Sequence, residues 1–328
     1  MRRPHRPFGR LRPVGLVLLL LAASAPALAW NAAGHRLSAA IAWREMAPAT
    51  RAAVGKLLAA HPEHPRWLAR GKEADIDYAA FLAASTWADD IKRDRRFYDE
   101  GTPPSAAQAG YPEMARHRHW HHADQPLDGR GRGGDGELDR RLPQLMRTLG
   151  DRQASASARS YALPWLIHLV ADAHQPLHVV SRYDATGNSD RGGNGLWVET
   201  PHHPRLREMT LHAYWDDLPG PPWLRGERLE AAATALGNSL PDSAARGRSR
   251  GDATDVAGWI ADSRQLARTV AYTDLDGEAP VIDERYHERA RRTAERQIVL
   301  AGRRLARLLE QLLGDDVSRG TANRTGNK

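Results

Sequence analysis

The stretch "SYALPWLIHLVADAHQPLH", Ser160–His178, decides how this chain is read. Leu163, Leu166, Ile167, Leu169 and Val170 make the segment apolar all round, so a helix over 157–173 belongs in a core. Two polar residues interrupt it. His168 and Asp172 stand four apart and therefore share one helix face. A buried carboxylate without a partner is costly, so Asp172 needs company. Pro176 then ends the helix and turns the chain, which lets His178 swing back toward that face. Imidazole, carboxylate and imidazole converge, a nitrogen and oxygen donor set that suits a divalent metal such as zinc.

Further fragments offer the same chemistry. In "LHAYWDD", Leu211–Asp217, His212 and Asp216 repeat the four-residue spacing. "STWADDIK", Ser85–Lys92, carries Asp89 and Asp90 near a helix end, with Lys92 one turn after Asp89. "RHWHHADQP", Arg118–Pro126, holds His119, His121, His122 and Asp124. Each of these alone also describes a solvated polar face, and their weight comes from their number.

"WNAAGHR", Trp30–Arg36, follows the N-terminal segment. Arg2, Arg3, Arg6, Arg10 and Arg12, the apolar run Val14–Ala23 and the Ala27-Leu28-Ala29 site have the anatomy of a secretory signal peptide. The run is shorter than the roughly 20 residues a spanning helix needs. The reading is a signal peptide over 1–29, export to the periplasm or beyond, no membrane anchor after cleavage, and Trp30 as the first mature residue. Cleavage there frees an α-amino group with a pKa of about 8, a nitrogen donor for a metal. His35 lies five residues on.

Composition narrows the choices. Hydrophobic residues at 41% and charged residues at 27% fit a globular protein. The formal +7 misleads: five of the 47 Lys+Arg precede Trp30 and none of the 40 Asp+Glu does, leaving 42 against 40. A generally basic surface that coats nucleic acid is therefore excluded. There is no cysteine, so a metal site must use His, Asp, Glu and backbone groups, which favours zinc, manganese or iron over thiolate-bound metals.

Helical patterns dominate the chain. The pattern predicts helices over Gly34–Met46, Thr50–Ala60 with Thr50 as cap, Asp75–Lys92, Leu138–Leu149, Pro204–Trp215, Gly226–Leu240, Val256–Tyr272 and Tyr286–Leu313. Pro103–Tyr111 and Asp128–Gly136 read as loops. Thr186–Gly195 is a Gly-rich turn beside a short strand at Leu196–Glu199. No linker divides the chain, so one domain over 30–314 is the economical reading, followed by a disordered polar tail over 315–328.

With these fragments in this order, and with "DRGGN" at Asp190–Asn194, the sequence resembles the zinc-dependent single-strand nucleases, the S-one/P-one family of secreted fungal nucleases and plant bifunctional nucleases. The resemblance runs from Trp30 to about Leu313. It implies a mainly α, single compact domain of the type shared with zinc-dependent phospholipase C, with a short β-hairpin-like loop. It also implies three zinc ions. Asp89, His121 and His168 match ligands of the first zinc, and His178, His212 and Asp216 those of the second. The amino nitrogen and carbonyl oxygen of Trp30, with His35, match the third, and Asp172 bridges the first and third. Asp89, Lys92 and Asp172 carry the chemistry in this reading, Lys92 by stabilising charge near the scissile phosphate. Lys92, His122, Asp124, Gly192 and Asn194 match the substrate side, with His122 placed to stack on a base and Asp124 and Asn194 to bond its edge. Only an unstacked base offers its face, which suits single strands.

His122 stands where relatives usually carry an aromatic residue, and His119, His121 and His122 are close enough that the ligand among them rests on the spacing to Asp124, which favours His121. A zinc-dependent phospholipase C is the nearest rival. The short gap from Trp30 to His35, Asp216 where the phospholipases carry glutamate, and the "DRGGN" loop speak against it. A non-catalytic exported zinc-binding or nucleic-acid-binding protein is the rival of another class, and Lys92 and the base-side residues argue for catalysis. The expected activity is hydrolysis of single-stranded DNA and RNA to 5′-phosphates by a monomer without a stable protein partner. Removal of 3′-phosphates from 3′-nucleotides, as related enzymes do, is expected beside it.

Overall fold

The chain is organised around the helix that the quoted stretch predicts. The computed structural model describes residues 30–71, 73–130, 133–241, 254–275, 277 and 279–325, with side chains to residue 314. The expected signal peptide lies outside the described residues.

Trp30 leads into α1 (Ala32–Glu45), whose start is fixed by Asn31: its side chain accepts from the amides of Ala33 and Gly34. Such a cap contributes about 1 kcal/mol. Then follow α2 (Pro48–Ala59), α3 (His64–Arg70) and α4 (Ile76–Asp90), the last capped by Asp75 and continued by a 3-10 turn over Ile91–Arg93. A second 3-10 turn covers Arg118–His121 and leads to β1 (Gln125–Pro126). Next come α5 (Leu138–Gly150), α6 (Ala156–Asp172), α7 (Pro176–Val179) and β2 (Val180–Ser181). The hairpin strands β3 (Trp197–Glu199) and β4 (Glu208–Thr210) precede α8 (Leu211–Asp217), α9 (Gly226–Ser239) and α10 (Val256–Leu266). The terminal helix is α11 (Glu284–Thr325). The expected mainly α fold is the one observed.

Every residue of α6 from Ser160 to Asp172 is buried, with α1, α2, α4, α5 and α11 packed around it. The long α11 lies along α1, and their crossing is close: a Cβ on Gly302 would meet the Ser38 carbonyl at 2.7 Å. Among the described residues no helix is long and apolar enough to cross a membrane.

Several boundaries differ from the pattern reading. Pro48 starts α2 with no side-chain cap, and Thr50 lies inside it. The helix expected over Pro204–Trp215 is instead β4 followed by α8. Met209 pairs opposite Val198 in an antiparallel hairpin, and Thr210 caps α8 by accepting from the Ala213 amide. After Leu266 the chain continues as a π-helical turn over Ala267–Ala271. Helix α11, expected over Tyr286–Leu313, runs from Glu284 to Thr325, and no proline interrupts it.

Candidate metal centre

The centre forms where α1, α4, the Arg118–His121 turn, α6, α7 and α8 meet. His168 and Asp172 project from one face of α6, as their spacing requires, and both are fully buried. The bond from His168 Nδ1 to the Ser85 carbonyl of α4, at 2.8 Å, fixes its tautomer, so Nε2 presents a lone pair. That nitrogen lies 3.1 Å from His121 Nδ1, 3.4 Å from Asp172 Oδ2 and 3.7 Å from Asp89 Oδ1. His121 Nδ1 is 3.2 Å from Asp172 Oδ2.

His35 reaches the other side of Asp172. Its Nε2 is 3.5 Å from Asp172 Oδ1, and its ring stacks on His168 with centroids 3.8 Å apart. Trp30 is buried beside them and donates from Nε1 to the Ala171 carbonyl at 3.1 Å. Gly34 permits this fold-back, because a Cβ there would meet the Trp30 Cβ at 2.7 Å.

A second group is assembled by α7 and α8. Pro176 turns the chain as expected, and His178 Nδ1 donates to the His121 carbonyl at 2.6 Å. His212 Nδ1 donates to the Gly192 carbonyl at 2.7 Å. Both Nε2 atoms therefore carry lone pairs, and they face each other at 3.1 Å, with Asp216 Oδ2 3.5 Å from that of His212. No hydrogen is available between them in the neutral state. The sequence reading did not single out Gln175, although it stands in the quoted stretch. It holds Asp216 by donating to Oδ1 at 2.8 Å.

Burial sets the protonation of this cluster. It lowers His35, His121 and His178 well below the usual imidazole value, and brings His168 and His212 down to about 4. Burial also raises Asp172 and Asp216 well above the usual carboxylate value. Asp89 is different. Burial opposes its ionisation, but the Lys92 ammonium at 2.7 Å outweighs that and holds it below the ordinary value.

Several buried polar atoms here lack hydrogen-bond partners: both ring nitrogens of His35, His121 Nε2 and Asp172 Oδ1. Each such atom costs about 1–3 kcal/mol. Neutral imidazoles facing one another across carboxylates are the donors a divalent cation needs, and a cation would satisfy His35 Nε2 and Asp172 Oδ1. Within the centre, three groups offer ligand atoms within 4.8 Å of one another: His35, His168 and Asp172; Asp89, His121 and His168; and His178, His212 and Asp216. His168 and Asp172 link the first two.

The base-side residues are placed less simply. Lys92 is buried against Asp89. Asp124 takes a left-handed backbone (φ 53°), and Ser181 Oγ donates to its Oδ1. The β1–β2 pairing brings those two residues together. The Gly192 amide donates to the same Ser181 Oγ at 2.8 Å, so Asp124, Ser181, Gly192 and His212 form one hydrogen-bonded line. Ser181 had no signal in the sequence. Gly192 is required as glycine: φ is +62°, and a Cβ would meet the Leu177 carbonyl at 2.3 Å. Asn194 donates from its side-chain amide to the Arg191 carbonyl at 2.8 Å, closing its own loop. His122 lies beside the centre, and its neighbour His119 is directed toward Asp135. His174, inside the quoted stretch, turns away from the cluster to accept from buried Arg304 at 2.7 Å.

Residues 30–314 match the family model described as S1/P1 Nuclease. No curated protein matches the chain.

Proposed function

The chain belongs to the S1/P1 nuclease family, and from that premise we propose that it is an exported, zinc-dependent nuclease that cuts single-stranded DNA and RNA to 5′-phosphorylated products and removes 3′-phosphates from 3′-nucleotides. The observation that carries the reading is the interlocked donor set, in which lone pairs of neutral imidazoles face one another around Asp172 and Asp216. Its chemistry fits zinc, with nitrogen and oxygen donors and no thiolate.

In this reading Asp89, His121 and His168 would hold one zinc, His178, His212 and Asp216 a second, and His35 with the amino nitrogen and carbonyl oxygen of Trp30 a third, with Asp172 shared between the first and third sites. Zinc bound there supplies Lewis acidity toward a phosphoryl oxygen and brings the pKa of water near neutrality. The chain's own groups do the rest. Lys92, buried and paired with Asp89, sets a fixed positive charge where the pentacoordinate phosphate gains negative charge. The carbonyls of Ser85, His121 and Gly192 fix three imidazole tautomers and orient their donor nitrogens. His122 and Asn194 are the base-side contacts. Asp124, tied to Ser181, acts on the base only through its second oxygen and shapes the Gly192 loop through its first. A monomer released from its signal peptide at Trp30 accounts for the amino ligand.

The test measures 5′-mononucleotide release from single-stranded DNA and RNA by protein beginning at Trp30. It is run untreated, after chelation, and after zinc is restored, beside a variant with one residue added before Trp30. Activity lost to chelator and regained with zinc, and crippled in the extended variant, is the expected result. No release from either polymer by zinc-loaded protein refutes the nuclease reading. Full activity in the extended variant refutes the amino ligand alone.

A further inference from the structure

A second kind of His/Asp group lies outside the buried centre. His121 ends the 3-10 turn and bonds into the centre, and His122 follows it in an extended conformation (φ −142°, ψ 155°) with its ring beside that of His119. On the outer side, His119, His122 and Asp135 each offer a ligand atom, all within 4.8 Å of one another. His119 Nδ1 is shielded from solvent, makes no hydrogen bond, and lies 3.1 Å from Asp135 Oδ2. The two imidazoles do not stack: their centroids are 6.0 Å apart and their planes 67° from parallel, so both rings converge edgewise.

The backbone builds this arrangement. The segment after residue 132 returns along the 3-10 turn, with the Glu137 amide donating to the His119 carbonyl at 2.8 Å and the Leu138 amide to the His122 carbonyl at 3.0 Å. Gly136 allows the approach, since a Cβ there would meet the His122 carbonyl at 2.4 Å. Asp135 is thereby held beside the two histidines, while its carboxylate stays open to solvent, 71% exposed.

We propose that His119, His122 and Asp135 form a further divalent-metal site, distinct from the buried centre and suited to zinc by its two-nitrogen, one-oxygen donor set. Zinc with bonds of about 2.0–2.1 Å sets its ligand atoms roughly 3.3 Å apart, close to the His119–Asp135 separation. Three protein ligands leave one position to solvent, so this ion exchanges more readily than those held by fully buried donors. A histidine engaged as a ligand holds its ring in place, so stacking of His122 on a base belongs to protein without an ion at this outer site. The proposal stands on these three residues and does not depend on how many ions the buried centre holds.

The test is zinc content per chain by elemental analysis, after equilibration against a series of buffered free-zinc concentrations. Wild type is compared with Asp135→Asn, an isosteric change at an exposed position, and with His119→Ala, each shown folded by its circular dichroism. The expected result is one fewer zinc equivalent in both variants at high free zinc, the missing ion being the one that wild type releases first to a weak chelator. Because the readout is a difference from wild type, a lower total in all proteins counts against the buried-centre assignment alone. Equal zinc content in wild type and Asp135→Asn at every concentration overturns the proposal.

Discussion

Gly192→Ala perturbs the candidate centre without touching a donor atom. The residue sits at φ +62°, where an alanine costs about 1–2 kcal/mol in backbone strain. Its Cβ would lie 2.3 Å from the Leu177 carbonyl and 3.3 Å from His212 Nδ1. The first contact is with backbone, so either the Gly192 loop or α7 must move, and overpacking of this kind costs about 1–3 kcal/mol more. Both movements reach the same group, since α7 carries His178 and the Gly192 carbonyl orients His212. Losing an orienting partner weakens metal affinity by about 10–100-fold. Gly187→Ala is the control. Gly187 has φ +88° with nothing within 4 Å of its Cβ, so it carries the strain without the collision. The assay is competition for zinc against a chromophoric chelator, with thermal melts of zinc-free and zinc-loaded protein. Both variants should melt lower when zinc-free, and only Gly192→Ala should bind zinc more weakly. Unchanged zinc affinity in Gly192→Ala refutes the argument that this loop positions His212.

Two other outcomes follow from the same geometry. Lys92→Met should keep its zinc and its KM while kcat falls about 10²–10³-fold, the scale of a lost charge-stabilising donor; loss of zinc in that variant would mean that Lys92 serves mainly to hold Asp89. Zinc-free protein should lose stability as pH falls from about 6.5 to about 4, because unfolded imidazoles take up protons there while buried His168 and His212 do not until about 4. Each of these contributes on the order of 3 kcal/mol. Asp172 and Asp216, raised by burial, act in the opposite sense but are outnumbered by five histidines that shift down. Denaturant unfolding at pH 7 and pH 4.5 measures this, and equal stabilities would contradict it.

The α6 motif was legible because its chemistry is local. Four-residue spacing puts His168 and Asp172 on one face, and Pro176 returns His178 to it. The union of Asp89, His121, His178 and His212 with that face is long-range, and in the sequence only the resemblance to a known family points to the grouping. Segment 204–210 was misread for a physical reason. Leu206 and Met209 are spaced like a helix face, but Met209 is buried by pairing across from Val198, and periodicity does not report a partner strand. Asp124 looked like a free base contact because nothing local links it to Ser181. That link runs through a parallel pairing of two residues per strand, too short to leave a pattern. The His119, His122 and Asp135 group escaped notice for a similar reason, since Asp135 lies in a Gly/Arg loop that reads only as a turn.

The close crossing of α1 and α11 at Gly302 bears on how the molecule is made. Among the described residues, the helix that carries His35 is the first and the helix it packs on is the last. Contacts this distant in the chain form late and slowly. Until residues near 302 have emerged, α1 has no wall to rest against, and the donors of α1, α4 and α6 cannot be held at their final spacing. Assembly of the centre therefore waits for residues near 302. Any ion the centre holds is therefore taken up after residues near 302 are available for packing.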